Sequence, residues 1–96
     1  MPVYDDKAEL FRILGHPTRI RVLELLQSGP APVRDLLAEL DLEPSNLSQQ
    51  LAVLRRTGLV SATRTGTSVV YQLGTPHIAD LLAAGRAILS SKLPVA

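Results

Sequence analysis

A stripe of leucines in the middle of the chain constrains the fold most, because it predicts a helix with one buried side. Leu47, Leu51 and Leu54 recur at positions i, i+4 and i+7, so they share one side of a helix and must face a core. Pro44 suits the first position of this helix, where its missing N–H is no loss. Gly58 suits the position just after the helix ends.

The other side of this predicted helix is polar in a way that suits DNA. Amide and hydroxyl side chains at its start can address base edges, and arginines at its end can address phosphates. The alternative is an ordinary amphipathic helix with a solvated polar face. The candidate DNA-binding residues of the helix are Ser45, Asn46, Ser48, Gln49, Gln50, Arg55 and Arg56.

Three helices are predicted before this one, because apolar side chains recur at helical spacing in each. They cover residues 6–14, residues 17–27 and residues 33–40. A connection of about three residues, 41–43, joins the third helix to the fourth. Two short helices joined in this way form a helix-turn-helix, predicted over about residues 33–57.

The hydrophobic period then changes from 3.6 to 2, which indicates strands. Two alternating, β-branched runs flank the glycine turn at Gly66 and predict a β-hairpin over about residues 59–73. A last helix is predicted over about residues 75–92, with Thr75 as its N-cap and Pro76 at its first position. The prediction is one mainly α domain, residues 1–96, with a β-hairpin: a winged helix-turn-helix in which the hairpin is the wing.

The charge of the chain is unevenly distributed, although the net charge is only +1. Residues 1–43 carry eight acids and five bases, a net of −3. Residues 44–73 carry three arginines and no acid, a net of +3, so no carboxylate there would repel phosphate. The wing therefore adds three candidate DNA-binding residues: Arg64, Thr65 and Thr67.

The last predicted helix has an apolar stripe too wide for so small a core to cover. Small residues such as Ala84 and Gly85 would let another helix approach it closely. A core of three helices and a hairpin also offers little area to cover the Leu10–Leu14 face of the first helix, so we expect a homodimer in which the first and last helices form the interface. The alternative is that the last helix folds back on its own domain. The candidate interface residues are Leu10, Leu14, Ile78, Leu81, Leu82, Gly85, Ile88 and Leu89.

Three segments, in this order and spacing, resemble the ArsR-type bacterial repressors. They are residues 11–26, residues 42–59 and the predicted wing at residues 64–73, and the resemblance spans about residues 8–90. It implies a small homodimeric repressor whose two recognition helices enter successive major grooves of a palindromic operator.

The chain departs from this family at the metal site. Many relatives carry a Cys-Val-Cys-Asp-Leu pattern where this sequence has residues 32–36, Pro-Val-Arg-Asp-Leu. A second family site uses Asp and His pairs on the last helix, where His77 and Asp80 lie three residues apart. Two ligands per chain would need a symmetric site across the dimer to reach four. We expect no metal and no cofactor, and a capping or packing role for His16. A metal-responsive repressor using His77 and Asp80 stays as an alternative.

Other classes of protein fit the sequence less well. The chain has no cysteine, which excludes disulfides and thiol chemistry, and no spacing suggests a catalytic nucleophile, so we expect no enzyme. No apolar run approaches the roughly 18 residues that span a bilayer, so we expect no membrane partner and a cytoplasmic, nucleoid-associated protein. A winged-helix module for protein–protein contact is the remaining alternative. The expected partners are double-stranded DNA and a second copy of the chain, with an unknown effector.

Overall fold

The computed structural model describes residues 2–92 of the chain, which form a winged helix-turn-helix, as predicted. The elements in chain order are α1 (Pro2–Leu14), α2 (Pro17–Leu26), β1 (Ala31–Pro32), α3 (Val33–Leu40), α4 (Pro44–Arg56), β2 (Val60–Thr65), β3 (Ser68–Leu73) and α5 (His77–Lys92). Among these residues no helix is both long and apolar enough to cross a membrane.

The helix-turn-helix consists of α3, a three-residue turn and α4. The turn begins at Asp41, whose left-handed backbone (φ 52°) reverses the chain after α3. Pro44 opens α4, as predicted from its missing N–H. Gly58 (φ 78°) ends it, and the N–H of Leu59 donates to the carbonyl of Leu54 at 2.9 Å, which closes the last turn. These contacts fix both ends of the helix that carries the candidate DNA-binding residues.

The wing is part of a three-stranded antiparallel sheet, not a hairpin alone. The sequence predicted β2 and β3, and the structure adds the two-residue strand β1 beside β3, in the order β1-β3-β2. Ala31 pairs with Tyr71 and Pro32 with Val70. Proline is tolerated in β1 because β1 is an edge strand. The added strand ties the wing to the start of α3.

The core is aliphatic and lies between the helices and the base of the wing. The predicted stripe of α4 is confirmed, since Leu47, Leu51 and Leu54 are all buried. Burying one such side chain stabilises the fold by about 1.5–3 kcal/mol. The largest fully buried side chains are Leu23, Leu36, Leu47, Leu54, Val22 and Val60.

A close backbone contact joins the end of the wing to the end of α4. The N–H of Gly74 donates to the carbonyl of Leu59 at 2.9 Å. A Cβ atom on Gly74 would lie 2.0 Å from the carbonyl oxygen of Gly58, so only glycine fits. The wing is therefore closed at its base by the two residues that connect it to α4.

Three helix boundaries differ from prediction. Helix α1 begins at Pro2 instead of residue 6, α2 ends one residue early at Leu26, and α5 begins at His77 instead of residue 75. The Oγ1 atom of Thr75 nevertheless accepts a hydrogen bond from the N–H of His77 at 3.3 Å, so its capping role is confirmed.

On the surface of α1, the Arg12 guanidinium donates a hydrogen bond to the exposed Glu9 carboxylate. This contact lowers the pKa of Glu9.

Candidate nucleic-acid interface

The outer face of α4 presents polar side chains to solvent near its start and at its end. Ser45, Ser48 and Gln49 are exposed near the start of the helix, and Arg55 and Arg56 are exposed at its end. Because the buried leucines hold the opposite side of α4 against the core, these five groups are free to meet a ligand.

The wing brings a second set of exposed polar groups beside α4. Arg64 and Thr65 end strand β2, and Thr67 follows Gly66, whose positive φ (63°) forms the turn. All three candidate residues are exposed. The guanidinium of Arg64 is the only charge that the wing carries. It stands close to the tip, where a basic side chain can reach a DNA backbone.

A shallow groove of about 490 Å³ lies between α4 and the wing. Its lining residues are Ser48, Ala52, Arg55, Arg56 and Tyr71. Tyr71 is a member of the site that sequence analysis did not assign. It is half-buried in β3 and borders the groove. Its phenolic hydroxyl can both donate and accept a hydrogen bond.

Two candidate residues of α4 are held by contacts within the protein. Gln50 and Asn46 are half-buried, and Gln50 Nε2 donates to Asn46 Oδ1 at 3.1 Å. Gln50 Oε1 accepts from Arg19 Nε at 2.9 Å, and Arg19 Nη1 donates to the carbonyl of Ile13 at 3.1 Å. Gln50 is therefore joined to α2 and α1. Sequence analysis missed Arg19, since no local pattern links residues so far apart in the chain.

A second surface, the apolar groove, has a volume of about 640 Å³ and lies between α1, α2 and α5. Phe11, Ile88 and Leu89 line it and are large side chains that remain exposed, by 57%, 58% and 49%. Its lining residues are Phe11, Leu14, Ile20, Glu24, Leu81, Leu82, Ala84, Gly85, Arg86, Ile88 and Leu89.

The residues that the sequence predicted for a dimer interface differ in their burial, and some of them belong to the core. Leu14 and Ile78 are 8% and 4% exposed and belong to the buried core, although Leu14 also lines the apolar groove. Leu10, Leu81 and Leu82 are half-buried. Sequence analysis missed Phe11, although its spacing on α1 puts it next to Leu10 and Leu14.

The candidate metal ligands do not gather into a larger cluster. His77 Nδ1 lies 3.7 Å from Asp80 Oδ2, and both side chains are exposed. Within residues 2–92 no group of three or more His, Asp or Glu side chains could hold a metal ion. His16 caps α2, because its Nδ1 accepts from the N–H of Thr18 at 3.2 Å, as predicted. Arg34, which stands where the family resemblance implies a thiolate, is exposed.

The sequence is similar to those of bacterial regulators. Residues 16–62 match the family described as "Bacterial regulatory protein, arsR family". An uncharacterized HTH-type transcriptional regulator of Mycobacterium tuberculosis, Rv0081, is 50% identical over 93 residues, which cover 96% of this chain and 82% of the relative. The crystal structure of M. tuberculosis Rv0081 matches this fold with a TM-score of 0.88, covering 94% of this chain and 91% of that one.

Two more distant relatives carry informative descriptions. The biofilm growth-associated repressor of Agrobacterium fabrum is 38% identical over 83 residues, which cover 86% of this chain and 71% of the repressor. A solution structure from Mycobacterium bovis is described as a homodimeric winged helix-turn-helix DNA-binding domain. It is 26% identical, has a TM-score of 0.86, and the match covers 97% of this chain and 86% of that one.

Proposed function

Because the chain belongs to the arsR family of bacterial regulatory proteins, we propose that it is a homodimeric repressor that binds a palindromic DNA operator. The observation that carries this proposal is the pairing of two exposed surfaces. One is the polar outer face of α4 with Arg55 and Arg56 at its end, and the other is the wing with Arg64 near its tip.

In this proposal α4 is the recognition helix and lies in the major groove. Ser48 and Gln49 read base edges, because a hydroxyl and an amide can both donate and accept hydrogen bonds. Ser45 contacts bases or phosphates close to the start of the helix. Arg55 and Arg56 hold phosphates, and the groove they share with Tyr71 gives a backbone room to enter.

The wing supplies the remaining contacts to the DNA. Arg64 grips a phosphate or the minor groove, and the hydroxyls of Thr65 and Thr67 add phosphate contacts. The close contact of Gly74 with Gly58 and Leu59 supports this role, because it closes the wing directly beside the end of the recognition helix.

The apolar groove is the dimer interface in this proposal, with Phe11, Ile88 and Leu89 as its exposed anchors. Side chains of this size are costly to leave in water, and a second copy would cover them. The ion pair between Arg86 and Glu24, at 3.1 Å, lies among the lining residues and suits the polar rim of an interface. The solution structure from M. bovis is described as homodimeric, which supports dimerisation of this chain.

We also propose that this repressor needs no metal to bind its operator. Arg34 is a permanent cation where relatives place an anionic ligand, so it would repel a divalent metal as well as fail to ligate it. His77 and Asp80 could take part in a metal site only with ligands from a partner subunit.

Selection from a pool of random-sequence duplexes tests the proposed function. The pure protein should enrich one sequence family whose consensus is palindromic, because a two-fold dimer presents two identical recognition helices. A pool that shows no enrichment over the starting library would contradict sequence-specific binding. An enriched consensus without dyad symmetry would contradict the dimer.

A further inference from the structure

A chain of three hydrogen bonds runs from the end of α1 to the first turn of the recognition helix. Arg19 on α2 donates to the Ile13 carbonyl through Nη1, at 3.1 Å, and to Gln50 Oε1 through Nε, at 2.9 Å. Gln50 Nε2 donates to Asn46 Oδ1 at 3.1 Å, one turn earlier on α4. Both amides are half-buried, so these bonds are partly shielded from competing water.

The direction of every bond in this chain is fixed by Arg19. A guanidinium has only donors and no acceptor, so the amide atom of Gln50 that faces it must be the carbonyl oxygen. The opposite end of the Gln50 amide, its NH₂ group, is then turned to Asn46. Asn46 must accept this hydrogen bond with its side-chain carbonyl oxygen, because an NH₂ group in that position would place two donors against each other.

The side-chain amide nitrogen of Asn46 lies at the end of this series of hydrogen bonds. Within residues 2–92 the Nδ2 atom of Asn46 donates to no protein group. Every buried side-chain nitrogen or oxygen in these residues has a hydrogen-bond partner, so an atom without one is not buried. Nδ2 is therefore open to solvent, on the third residue of α4 and next to the exposed Ser45.

We propose that Arg19 is a positioning residue that makes Asn46 a hydrogen-bond donor toward DNA. The inference rests on the proposed function and deepens it, because it assigns a chemical polarity to one contact of the recognition helix.

A donor at this place selects for hydrogen-bond acceptors on the DNA. Phosphate oxygens, guanine O6 and N7, adenine N7 and thymine O4 all accept, whereas the amino group of cytosine only donates. The familiar two-bond contact of asparagine with adenine needs the amide oxygen as well as the nitrogen. Asn46 does not offer that contact while its oxygen is turned to Gln50, so it makes a single donor bond.

The substitution Gln50→Glu provides a sharp test, because it should reverse the orientation of the Asn46 side-chain amide. A carboxylate at position 50 still accepts from Arg19 but cannot donate to Asn46. The Asn46 amide must then turn its NH₂ group inward and its oxygen outward. Gln49→Glu is the matched control, since it adds the same charge one residue away without touching the network.

The free protein tests the polarity without DNA, through exchange of the side-chain amide protons with water in NMR spectra of the full chain. In the wild type and in Gln49→Glu, the Gln50 NH₂ protons should exchange more slowly than those of Asn46. In Gln50→Glu, the Asn46 protons should become the protected ones. Arg19→Met should equalise the Asn46 and Gln50 rates, and Arg19→Lys, which keeps a donor, should restore the wild-type order. Wild-type protein with Asn46 as protected as Gln50, or more so, would overturn the inference.

The DNA contact is tested on a duplex enriched from the random pool and rebuilt one position at a time. Base analogues that remove or weaken one acceptor atom (7-deazapurines, 2-aminopurine for guanine, 4-thiothymine) probe the bases, and single methylphosphonate linkages probe the phosphates. One such change should weaken wild-type binding by roughly three- to tenfold more than it weakens binding of Asn46→Ala, the worth of one hydrogen bond.

The failures of these experiments are distinguishable. If no altered base or phosphate distinguishes the wild type from Asn46→Ala, the proposed donor contact to DNA is overturned. The arrangement of hydrogen bonds in the free protein is tested separately by the amide-proton exchange. If the pool enriches no duplex at all, the proposed function fails and the inference about DNA fails with it, whatever the amide protons show.

Discussion

Gln49 and Gln50 are neighbours with the same side chain, but their surroundings give them different tasks. Gln49 is exposed on the outer face of α4, so both ends of its amide can meet a base pair. Gln50 is half-buried, and both ends of its amide are engaged, by Arg19 and by Asn46. We therefore assign direct base reading to Gln49 and orientation of Asn46 to Gln50.

Replacing Gln49 by alanine should reduce discrimination more than it reduces overall affinity. If the amide makes a two-bond contact with one base, Gln49→Ala should lower the preference for the enriched duplex over random DNA by about 1–3 kcal/mol. Titrations of both duplexes measure the difference. Gln27→Ala, the same substitution at an exposed glutamine beyond the end of α2, is the control. Equal losses on the two duplexes would show that Gln49 reads no base.

Operator binding should be insensitive to a chelator, because Arg34 and Pro32 stand where the family resemblance implies thiolate ligands. His77 and Asp80, 3.7 Å apart and exposed, are the ligands to watch. A buffered zinc titration, repeated with His77→Ala, measures any site. Tight zinc binding that releases the operator and is lost in the variant would contradict metal-free operation and favour a metal-responsive repressor.

At the scale of single elements, the wing is the part whose contribution can be isolated most cleanly. It carries one charge, Arg64, and it is tied to α4 through Gly74. Arg64→Ala should weaken binding to all sequences, and should flatten the slope of log K against log salt concentration by about 0.9 per lost phosphate contact. Arg21→Ala removes the same charge from the exposed side of α2 and should leave the slope unchanged. An unchanged slope in Arg64→Ala would remove Arg64 from the interface.

Elements whose ends are marked by proline or glycine could be predicted from the sequence. The bounds of α4 follow from Pro44 and Gly58, and α3 begins and ends at the predicted residues. Strand β1 could not be foreseen, because two residues that include a proline have no period and exist as a strand only through pairing with β3. The first turn of α1 was missed because it carries no apolar stripe.

The candidate site was predictable as a face but not as a set of contacts. The period of α4 places Ser45, Ser48 and Gln49 on its outer side, where they lie. It cannot show that Arg19, 31 residues before Gln50, engages that side chain, because the contact arises only when α2 packs on α4.

At the scale of the whole molecule, one apolar stripe on α5 serves two purposes. Ile78 is buried in the protomer core, whereas Ile88 and Leu89, three turns later, remain exposed. The sequence cannot separate the two, because both purposes require the same residue types at the same spacing. The protomer uses the first part of the stripe, and the second part is left for the proposed partner.

Ile88→Glu should convert the dimer into a monomer, because it would bury an unpaired charge twice in a symmetric interface. Such a charge costs about 3 kcal/mol or more. Ile88 is a better site than the half-buried Leu82, since its exposure lets the protomer fold unchanged. Sedimentation at micromolar concentration measures the mass, and Ala87→Glu, outside the apolar groove, should remain a dimer. A monomeric wild type would contradict the assigned interface.

Footprinting on the enriched duplex tests the central claim most directly, that two recognition helices read DNA as a symmetric pair. The wild type should protect two segments related by a dyad, with centres about one helical turn, roughly 34–36 Å, apart. Ile88→Glu should lose this paired protection at equal concentration. A single protected segment, or the same pattern on random DNA, would contradict the account.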